Sequence, residues 1–322
     1  MRVLITGITG FIGSHLAELL LGEGCTVCGT LFDRREWSNV EDIADRLELI
    51  DCDLCSAAMT AEALARTRPD FVFHLAACTG GRAARASRDR LFQVNVLGTM
   101  NLLEAVRTGQ RRATVLLPIS SAVFGVTERP RDPIAEETPY RPVNAYGASK
   151  AAQAMLGRQY GQTYDLNVIA VHTFNCIGPR QSDQFACSWF ARQIAEIEKG
   201  RRPAAIEVGD LDTYRDLTDV RDIARAYWLA AQRARPGDVY NVCSGRAYRI
   251  RTALEELLRL STCAVEVRPK HQWCEPPAIR YQVGDGSKFR ARAGWQPTIS
   301  VEKSLADTLE YWRTQTVATT TV

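Results

Sequence analysis

The residues best placed for chemistry are Tyr146 and Lys150, which stand four positions apart. A helix over residues 145–163 would put positions i and i+4 on one face, so the phenol and the ammonium would point the same way. A phenol has a reference pKa of about 10 and needs a nearby cation to ionise near neutral pH, and Lys150 can supply that charge. Ser120 directly follows a predicted strand, where its hydroxyl could hold a substrate oxygen beside the tyrosine. The three side chains therefore predict acid–base chemistry at a substrate oxygen.

A second chemical signal is the pattern Gly7-x-x-Gly10-x-x-Gly13 between a predicted strand and a predicted helix. Free N–H groups and the dipole at the start of a helix can hold a pyrophosphate, and glycines allow the tight turn and close approach that this requires. The spacing differs from the commoner GxGxxG fingerprint but uses the same physics. We predict a dinucleotide here, with contacts from Gly7, Gly10, Phe11, Ile12 and Gly13.

The ends of the next strands would complete the cofactor site, and the predicted contacts there are Asp53, Leu54, Leu75, Ala76 and Ala77. Asp53 suits an adenine amino group, and the small residues after the fourth strand let a cofactor lie across the strand ends.

The second strand ends at Leu31, where NAD-specific proteins usually carry an acid for the ribose 2′-hydroxyl. Arg34 and Arg35 follow within reach of a 2′-phosphate, although Asp33 is an opposing signal. We predict NADP or NAD as the cofactor, with NADPH at least as good a donor as NADH.

These residues need a scaffold that alternates strands and helices, and the hydrophobic pattern predicts one. Strands are predicted at 2–6, 26–31, 47–51, 71–75, 114–119, 167–173 and 239–242, and helices after the first strand and near 58–67, 86–108, 145–163, 185–199 and 219–234. The predicted fold class is α/β, a Rossmann-type doubly wound parallel sheet. We assign 1–174 plus about 212–244 to a dinucleotide-binding domain, and 175–211 plus about 245–322 to a smaller, interleaved substrate domain.

Composition excludes several other classes of protein. The 322 residues are 46% hydrophobic and 24% charged, which is typical of a globular protein. A net charge of +3 is too small to predict nucleic acid or a membrane surface as the main partner. No apolar run reaches the roughly 18–20 residues that span a bilayer, and the chain begins directly with a strand, so we predict a cytoplasmic protein.

A zinc site is the alternative interpretation of two cysteine pairs, Cys25 with Cys28 and Cys52 with Cys55. The pairs fall on the second predicted strand and just after the third. Residues three apart on a strand point to opposite sides, so the four thiolates would not converge. We predict no metal.

The motifs together resemble the extended short-chain dehydrogenases/reductases that act on nucleotide sugars. The resemblance covers nearly the whole chain and rests on the glycine turn, 74–77, 95–99, 120–125, 146–150 and 175–179. Within that family, the motifs at 208–211, 215–222, 284–288 and 294–297 are most similar to the reductases of GDP-4-dehydro-6-deoxy-D-mannose.

This resemblance implies a role for each motif residue. Ser120, Tyr146 and Lys150 would form the catalytic triad, with Tyr146 as the proton donor and Lys150 also binding the nicotinamide ribose. Asn95 would join the cofactor site. The implied substrate contacts are Thr79, Ser121, Ala122, Asn175, which would face the sugar, Arg215, which would bind the diphosphate, and Lys288.

For Arg215 the alternative is an ion pair with Asp216 or Asp219 that braces the chain between the domains.

The resemblance also implies a homodimer, formed by four helices from residues 88–107 and 145–163 of two subunits.

Four departures from the family pattern bear on the substrate. The 4,6-dehydratases carry an acidic residue two positions after the catalytic hydroxyl, and Ala122 stands there, which disfavours loss of water across C5 and C6. Glu275 replaces a usual arginine, His172 replaces another, and 78–81 replaces a polar segment. These positions concern the identity of the sugar and the nucleotide.

The predicted function is reduction of a 4-keto-6-deoxy nucleotide sugar by NAD(P)H. A 4-epimerase with a retained NAD is the alternative, because the same three residues can oxidise and then re-reduce the carbon. A non-catalytic dinucleotide sensor is a more distant alternative, and the presence of both Tyr146 and Lys150 argues against it.

Overall fold

The computed structural model describes residues 1–33, 37–79, 88–109, 112–129, 131–270 and 279–315. Arg34, Arg35, residues 80–81 and Glu275 lie outside these ranges, so their predicted roles stay predictions. Within these ranges, no helix has both the length and the apolar character that crossing a membrane requires.

Thirteen strands form the sheets of the described chain. They are β1 (Arg2–Thr6), β2 (Thr26–Leu31), β3 (Glu48–Asp51), β4 (Phe71–His74), β5 (Thr114–Ser120), β6 (Val168–Thr173), β7 (Asn175–Ile177), β8 (Ala205–Val208), β9 (Tyr214–Asp219), β10 (Val239–Val242), β11 (Ala247–Arg249), β12 (Glu266–Pro269) and β13 (Tyr281–Gln282). Seven of them make one parallel sheet in the order β10-β6-β5-β4-β1-β2-β3. This confirms the predicted Rossmann-type fold, and the predicted strands lie within two residues of the observed ones.

The helices are α1 (Phe11–Gly22), α2 (Ala57–Thr67), α3 (Arg88–Phe92), α4 (Gly98–Gly109), α5 (Ala145–Tyr164), α6 (Ala186–Glu198), α7 (Val220–Arg233), α8 (Ile250–Arg259), α9 (Ser287–Ala293) and α10 (Val301–Gln315). Short 3₁₀ turns occupy Ser38–Arg46 and Ser121–Val123. The helix predicted near 86–108 contains a π-helical turn, Gln93–Leu97, between α3 and α4. Such turns often lie at functional sites.

The large sheet is buried on both faces, which is why its strands are apolar runs without alternation. Val3 and Ile5 of β1 pack with Leu16 of α1 and Tyr227 of α7 in one core. Leu4, the residue between them, faces a second core that α4 and α5 help to form.

The smaller sheets lie beside this layer. β9 pairs with β7, β11 and β13, and β8 pairs with β12. A third core, which includes Ile194, Leu254 and Leu305, joins α6, α8 and α10. The domain division predicted from sequence differs here for β9. Residues 214–219 fall in the range assigned to the dinucleotide-binding domain, but they pair within the smaller sheet, while α7 and β10 of that range pack on the large one.

The strand order places the ligand crevice. From β1 the chain moves outward to β2 and β3, then returns to β4 on the other side of β1 and moves outward again to β5 and β6. The order therefore reverses between β1 and β4, and ligands of open α/β sheets bind at the carboxyl ends of strands at such a point.

Candidate active site

The glycine turn joins β1 to α1 at the reversal point. Gly7 has φ +68°, and a Cβ on it would lie 2.8 Å from the Ala76 Cα atom. A Cβ on Gly13 would overlap the Gly7 carbonyl oxygen and lie 3.0 Å from the Ile8 Cα atom. Gly10 precedes α1 and has no side chain, so the first N–H groups of the helix have no side-chain cap there to which they could donate. These features fit a cofactor pyrophosphate.

Other predicted cofactor residues lie at the same edge of the sheet: Asp53 and Leu54 follow β3, Ala76 follows β4, and Asn95 lies on the π-helical turn. Leu54 packs with the half-buried Ala76, and the Asp53 carboxylate accepts a hydrogen bond from the Cys55 N–H at 2.9 Å. Asn95 is fully buried, and its amide is bonded to the Cys78 backbone and, at 2.9 Å, to the Ser149 hydroxyl. Its side chain thus supports the segment that follows β4.

Ser120 and Tyr146 are brought together by the close approach of α5 to the end of β5. Asn144 caps α5 by accepting a hydrogen bond from the Gly147 N–H at 2.8 Å. A Cβ on Gly147 would lie 2.6 Å from the Ala122 carbonyl oxygen, so a larger residue would push the helix start away. The Tyr146 phenol is hydrogen-bonded to Ser120, whose hydroxyl also accepts from the Ala122 N–H at 3.2 Å.

The protonation of Tyr146 differs from the sequence-based expectation. Burial raises the pKa of the phenol, and the hydrogen bond with Ser120 opposes this only in part. The phenol is therefore neutral near pH 7, whereas the sequence suggested that Lys150 would favour the phenolate. A neutral phenol is the form that can donate a proton.

Lys150 is buried on the helix turn that follows Tyr146. Its ammonium donates to the Pro118 carbonyl at 2.8 Å and to the Gln153 amide oxygen at 2.6 Å. Burial lowers the pKa of this amine to about 7, because a charged group loses water solvation without gaining a carboxylate partner. Gln153 was not among the predicted site residues. Its i+3 spacing from Lys150 was the available signal.

The predicted substrate contacts differ in how open they are. The Ser121 hydroxyl donates to the Gln282 amide oxygen at 3.0 Å, and the Gln282 amide donates back to the Ser121 carbonyl at 3.0 Å, with both residues buried. Ser121 therefore links β5 to β13. The Asn175 side-chain oxygen is buried and accepts no hydrogen bond within the described chain, so it has capacity for a ligand donor. Thr79 is exposed and Ala122 is half-buried.

Arg215 pairs with neither Asp216 nor Asp219, so the alternative prediction of an ion pair that braces the chain is wrong. Its guanidinium donates to the carbonyls of Ile279 at 2.9 Å and Tyr214 at 2.8 Å. Asp216 instead accepts from 244–245 and Gly284, and Asp219 accepts from Arg221. Arg215 holds the backbone that leads into β13.

The contacts of Lys288 and His172 are made with residues outside the triad. The Lys288 ammonium is 5.0 Å from the ring centroid of Tyr240, on the edge strand β10. His172 is fully buried between the Tyr140 hydroxyl, 2.7 Å from its Nε2, and the Asn241 side-chain oxygen, 3.0 Å from its Nδ1. Burial lowers the pKa of this imidazole to about 4, so it is neutral and does not supply the charge of the arginine that the family commonly has there.

The cysteine pairs do not converge on a metal. In the described ranges, no group of three or more His, Cys, Asp or Glu side chains is arranged to hold an ion. Cys25, Cys28 and Cys52 are buried free thiols, and Cys28 donates to the Glu48 carboxylate at 3.6 Å. Burial raises the pKa of Cys28 to about 11, so it is not a thiolate at neutral pH.

The fold, the glycine turn and the Ser–Tyr–Lys set define the class of protein as an extended short-chain dehydrogenase/reductase, an oxidoreductase-type enzyme. The family model described as GDP-mannose 4,6 dehydratase matches residues 4–308, and the chain belongs to that family.

Relatives within this family have different activities. The chain is 32% identical to the GDP-6-deoxy-D-mannose reductase of Pseudomonas aeruginosa over 314 residues, 98% of each chain. It is also 32% identical to the UDP-glucose 4-epimerase of Mycolicibacterium smegmatis over 322 residues, 97% of this chain and 99% of that one. A solved structure of RMD from Pseudomonas aeruginosa, complexed with NADPH, superposes with a TM-score of 0.85 at 31% identity and covers 98% of this chain and 100% of that one.

Proposed function

We propose that this enzyme reduces C4 of a 4-keto-6-deoxy nucleotide sugar, with GDP-4-dehydro-6-deoxy-D-mannose as the substrate and GDP-6-deoxy-D-mannose as the product. The observation that carries the proposal is a neutral Tyr146 bonded to Ser120, with Ala122 where a dehydratase would carry its acid. No carboxylate of the described chain is hydrogen-bonded to the triad. The identity to the reductase from Pseudomonas aeruginosa supports the choice of sugar.

Each residue of the triad has a defined task in this reaction. A bound NADPH or NADH supplies the hydride for C4. Tyr146 donates the proton to the oxygen on C4, and Ser120 holds that oxygen by a hydrogen bond. Lys150 binds the nicotinamide ribose and, when protonated, stabilises the phenolate left on Tyr146.

A panel of GDP-, UDP-, dTDP- and CDP-linked 4-keto sugars tests the proposal. The enzyme should consume NADPH or NADH, measured by absorbance, with the GDP-sugar preferred and with one stereoisomer formed at C4. Absence of reduction of every member would contradict it.

The second candidate, a 4-epimerase with retained NAD, is favoured by the identity to the UDP-glucose 4-epimerase. Interconversion of sugar epimers without added cofactor would establish that activity instead.

We also place the protein in the cytoplasm, where the free thiols of its described cysteines would stay reduced.

We expect NADPH to be used at least as well as NADH. Leu31 is buried at the end of β2, and no acid stands at that position to bind a ribose 2′-hydroxyl. Nearby, the Arg90 guanidinium lies 5.0 Å from the ring centroid of Phe32, which adds a cation at this edge. Initial rates with both cofactors provide the measurement, and a strong preference for NADH would show that Arg34 and Arg35 point elsewhere.

We expect a homodimer through α3 to α5 and the π-helical turn. Exposed apolar side chains lie on these helices, with relative exposures of 41% for Phe92, 37% for Leu97, 40% for Met100 and 50% for Met155. Phe92, Leu97 and Met100 also line a groove of about 510 Å³. A second copy would bury these faces symmetrically.

Light scattering should therefore give twice the chain mass of 35.8 kDa, and Met100→Glu should lower it towards one chain mass. A wild-type protein that stays at one chain mass at micromolar concentration would contradict the dimer.

We expect Arg215→Lys to raise the KM for the nucleotide sugar several-fold. A guanidinium can hold the Tyr214 and Ile279 carbonyls and still present N–H groups to a diphosphate, whereas an ammonium is a point charge without that geometry. Cofactor affinity, measured by fluorescence titration, should not change. If cofactor affinity falls while KM holds, Arg215 does not bind the substrate diphosphate.

A further inference from the structure

Gln153 connects the catalytic lysine to a buried hydrogen-bond chain. It lies on α5 one turn beyond Lys150 and has no exposed surface. Its amide oxygen accepts from the Lys150 ammonium at 2.6 Å, and its amide nitrogen donates to the Thr99 hydroxyl at 2.8 Å. The amide orientation follows from chemistry, because an ammonium has only donors and must face the oxygen.

The hydrogen-bond chain continues from Thr99 through His74 to Thr6. The Thr99 hydroxyl donates to the Asn95 carbonyl at 2.7 Å, so it accepts from both Gln153 and the His74 Nε2–H at 2.9 Å. Burial lowers the pKa of His74 to about 3, so the ring is neutral and its Nδ1 accepts from the Thr6 hydroxyl at 2.9 Å. Each of these side chains thus has one consistent set of donors and acceptors.

This series of hydrogen bonds ends at the edge of the sheet where the cofactor is predicted to bind. The Thr6 hydroxyl accepts from the Ala76 N–H at 3.1 Å, and Thr6 directly precedes Gly7. Lys150 is therefore tied, through neutral groups only, to the turn and the strand end predicted to hold the cofactor.

Neutral partners matter because burial already disfavours the charged form of Lys150. Its hydrogen-bond acceptors are the Pro118 carbonyl and the Gln153 amide, and the titratable group that interacts with its charge is His74 on β4. No described carboxylate is hydrogen-bonded to it. With a pKa of about 7, the ammonium is sensitive to a single partner.

We propose that Gln153 is a positioning residue that holds the Lys150 ammonium in place and sets how readily it is protonated. Its catalytic consequence rests on the proposed function. The effect on Lys150 itself does not.

Two substitutions should move Lys150 in opposite directions. Gln153→Leu removes an acceptor from the ammonium, so the charged form is less stable and the pKa of Lys150 should fall. Gln153→Glu keeps the shape and the acceptor but adds a negative charge, so the pKa should rise. A merely structural residue would not give shifts of opposite sign.

The chain has five lysines, which makes a direct measurement possible: Lys150, Lys199, Lys270, Lys288 and Lys303. Protein labelled with ¹³C at lysine Cε, titrated by NMR without substrate, reports the titration midpoint of Lys150, and Lys150→Arg assigns its signal. We expect the midpoint to shift by about one pH unit or more in each variant, downward for Leu and upward for Glu. Equal midpoints in wild type and Gln153→Glu would overturn the proposal, even if Gln153→Leu does not fold.

Gln193→Leu is the matched control. Gln193 is also fully buried and bonded on both sides, to the backbone of Glu207, but it lies on α6. Its loss should leave the Lys150 midpoint unchanged, and a shift like that of Gln153→Leu would overturn the proposal.

Kinetics then test the catalytic part. Reduction needs a neutral Tyr146 and a charged Lys150, so the rate should fall as pH rises through the pKa of Lys150. The pH at which the rate falls should be higher in Gln153→Glu and lower in Gln153→Leu. Gln153→Leu should also lower kcat by about tenfold to hundredfold, as expected for the loss of a hydrogen bond to a charged group. If no 4-keto sugar is reduced, the proposed function fails while the NMR shifts still stand. If the sugar is reduced and the midpoints do not move, the role of Gln153 fails alone.

Discussion

Replacement of Tyr146 by Phe should lower kcat by about 10²–10⁴-fold, the usual contribution of a general acid. The substitution keeps the ring and removes only the hydroxyl that is bonded to Ser120. Because the phenol is neutral in the structure, its loss removes the proton that the reduced oxygen must receive. Initial rates with the preferred 4-keto sugar and NADPH measure the effect.

A control on the same helix separates chemistry from folding. The Tyr160 hydroxyl donates to the Glu104 carboxylate at 3.2 Å, fourteen residues further along α5. Tyr160→Phe should keep nearly all activity, and both variants should bind NADPH as the wild type does. Activity of Tyr146→Phe within about threefold of wild type would show that another group donates the proton.

Alanine at Gly13 should remove cofactor binding and destabilise the fold by about 1–3 kcal/mol, the usual effect of overpacking. The added methyl group would overlap the Gly7 carbonyl oxygen and press on Ile8, both backbone positions that cannot rotate away. The first turn of α1 must then move from β1, which displaces the N–H groups proposed to bind the pyrophosphate. Thermal unfolding and fluorescence titration with NADPH measure the two effects.

Gly22→Ala at the other end of α1 is its matched control. A Cβ there meets no atom within 4 Å, so the substitution should leave cofactor binding unchanged and should not lower the unfolding temperature. Similar losses in both variants would mean that alanine disturbs α1 itself and not the turn.

The parts of the molecule that depend on neighbouring residues were predictable from sequence. Apolar runs bounded by turn residues identified the strands of the large sheet, because a strand covered by helices on both faces needs apolar side chains throughout. The glycine turn and the four-residue spacing from Tyr146 to Lys150 were predictable because both are local. Each motif lies on one element or one turn, so its geometry follows from the backbone alone.

Contacts between distant segments decided the rest. Ser121 and Gln282 bond to each other across 161 positions, and no local pattern distinguishes such a pair from two exposed polar residues. Arg215 was expected to bind a phosphate or to pair with an aspartate. The aspartate pair is not formed, and parallel pairing of β13 with β9 brings the Ile279 carbonyl within reach of the guanidinium.

The protonation of the triad was decided in the same way. Sequence placed a phenol and an amine on one helix face and predicted that the charge would ionise the phenol. Burial by the packed layers raises the pKa of Tyr146 and lowers that of Lys150, so burial shifts both groups towards their neutral forms. Sequence by itself determined which groups meet on the helix, whereas the tertiary structure determined their charge, because desolvation depends on every element that excludes water from the site.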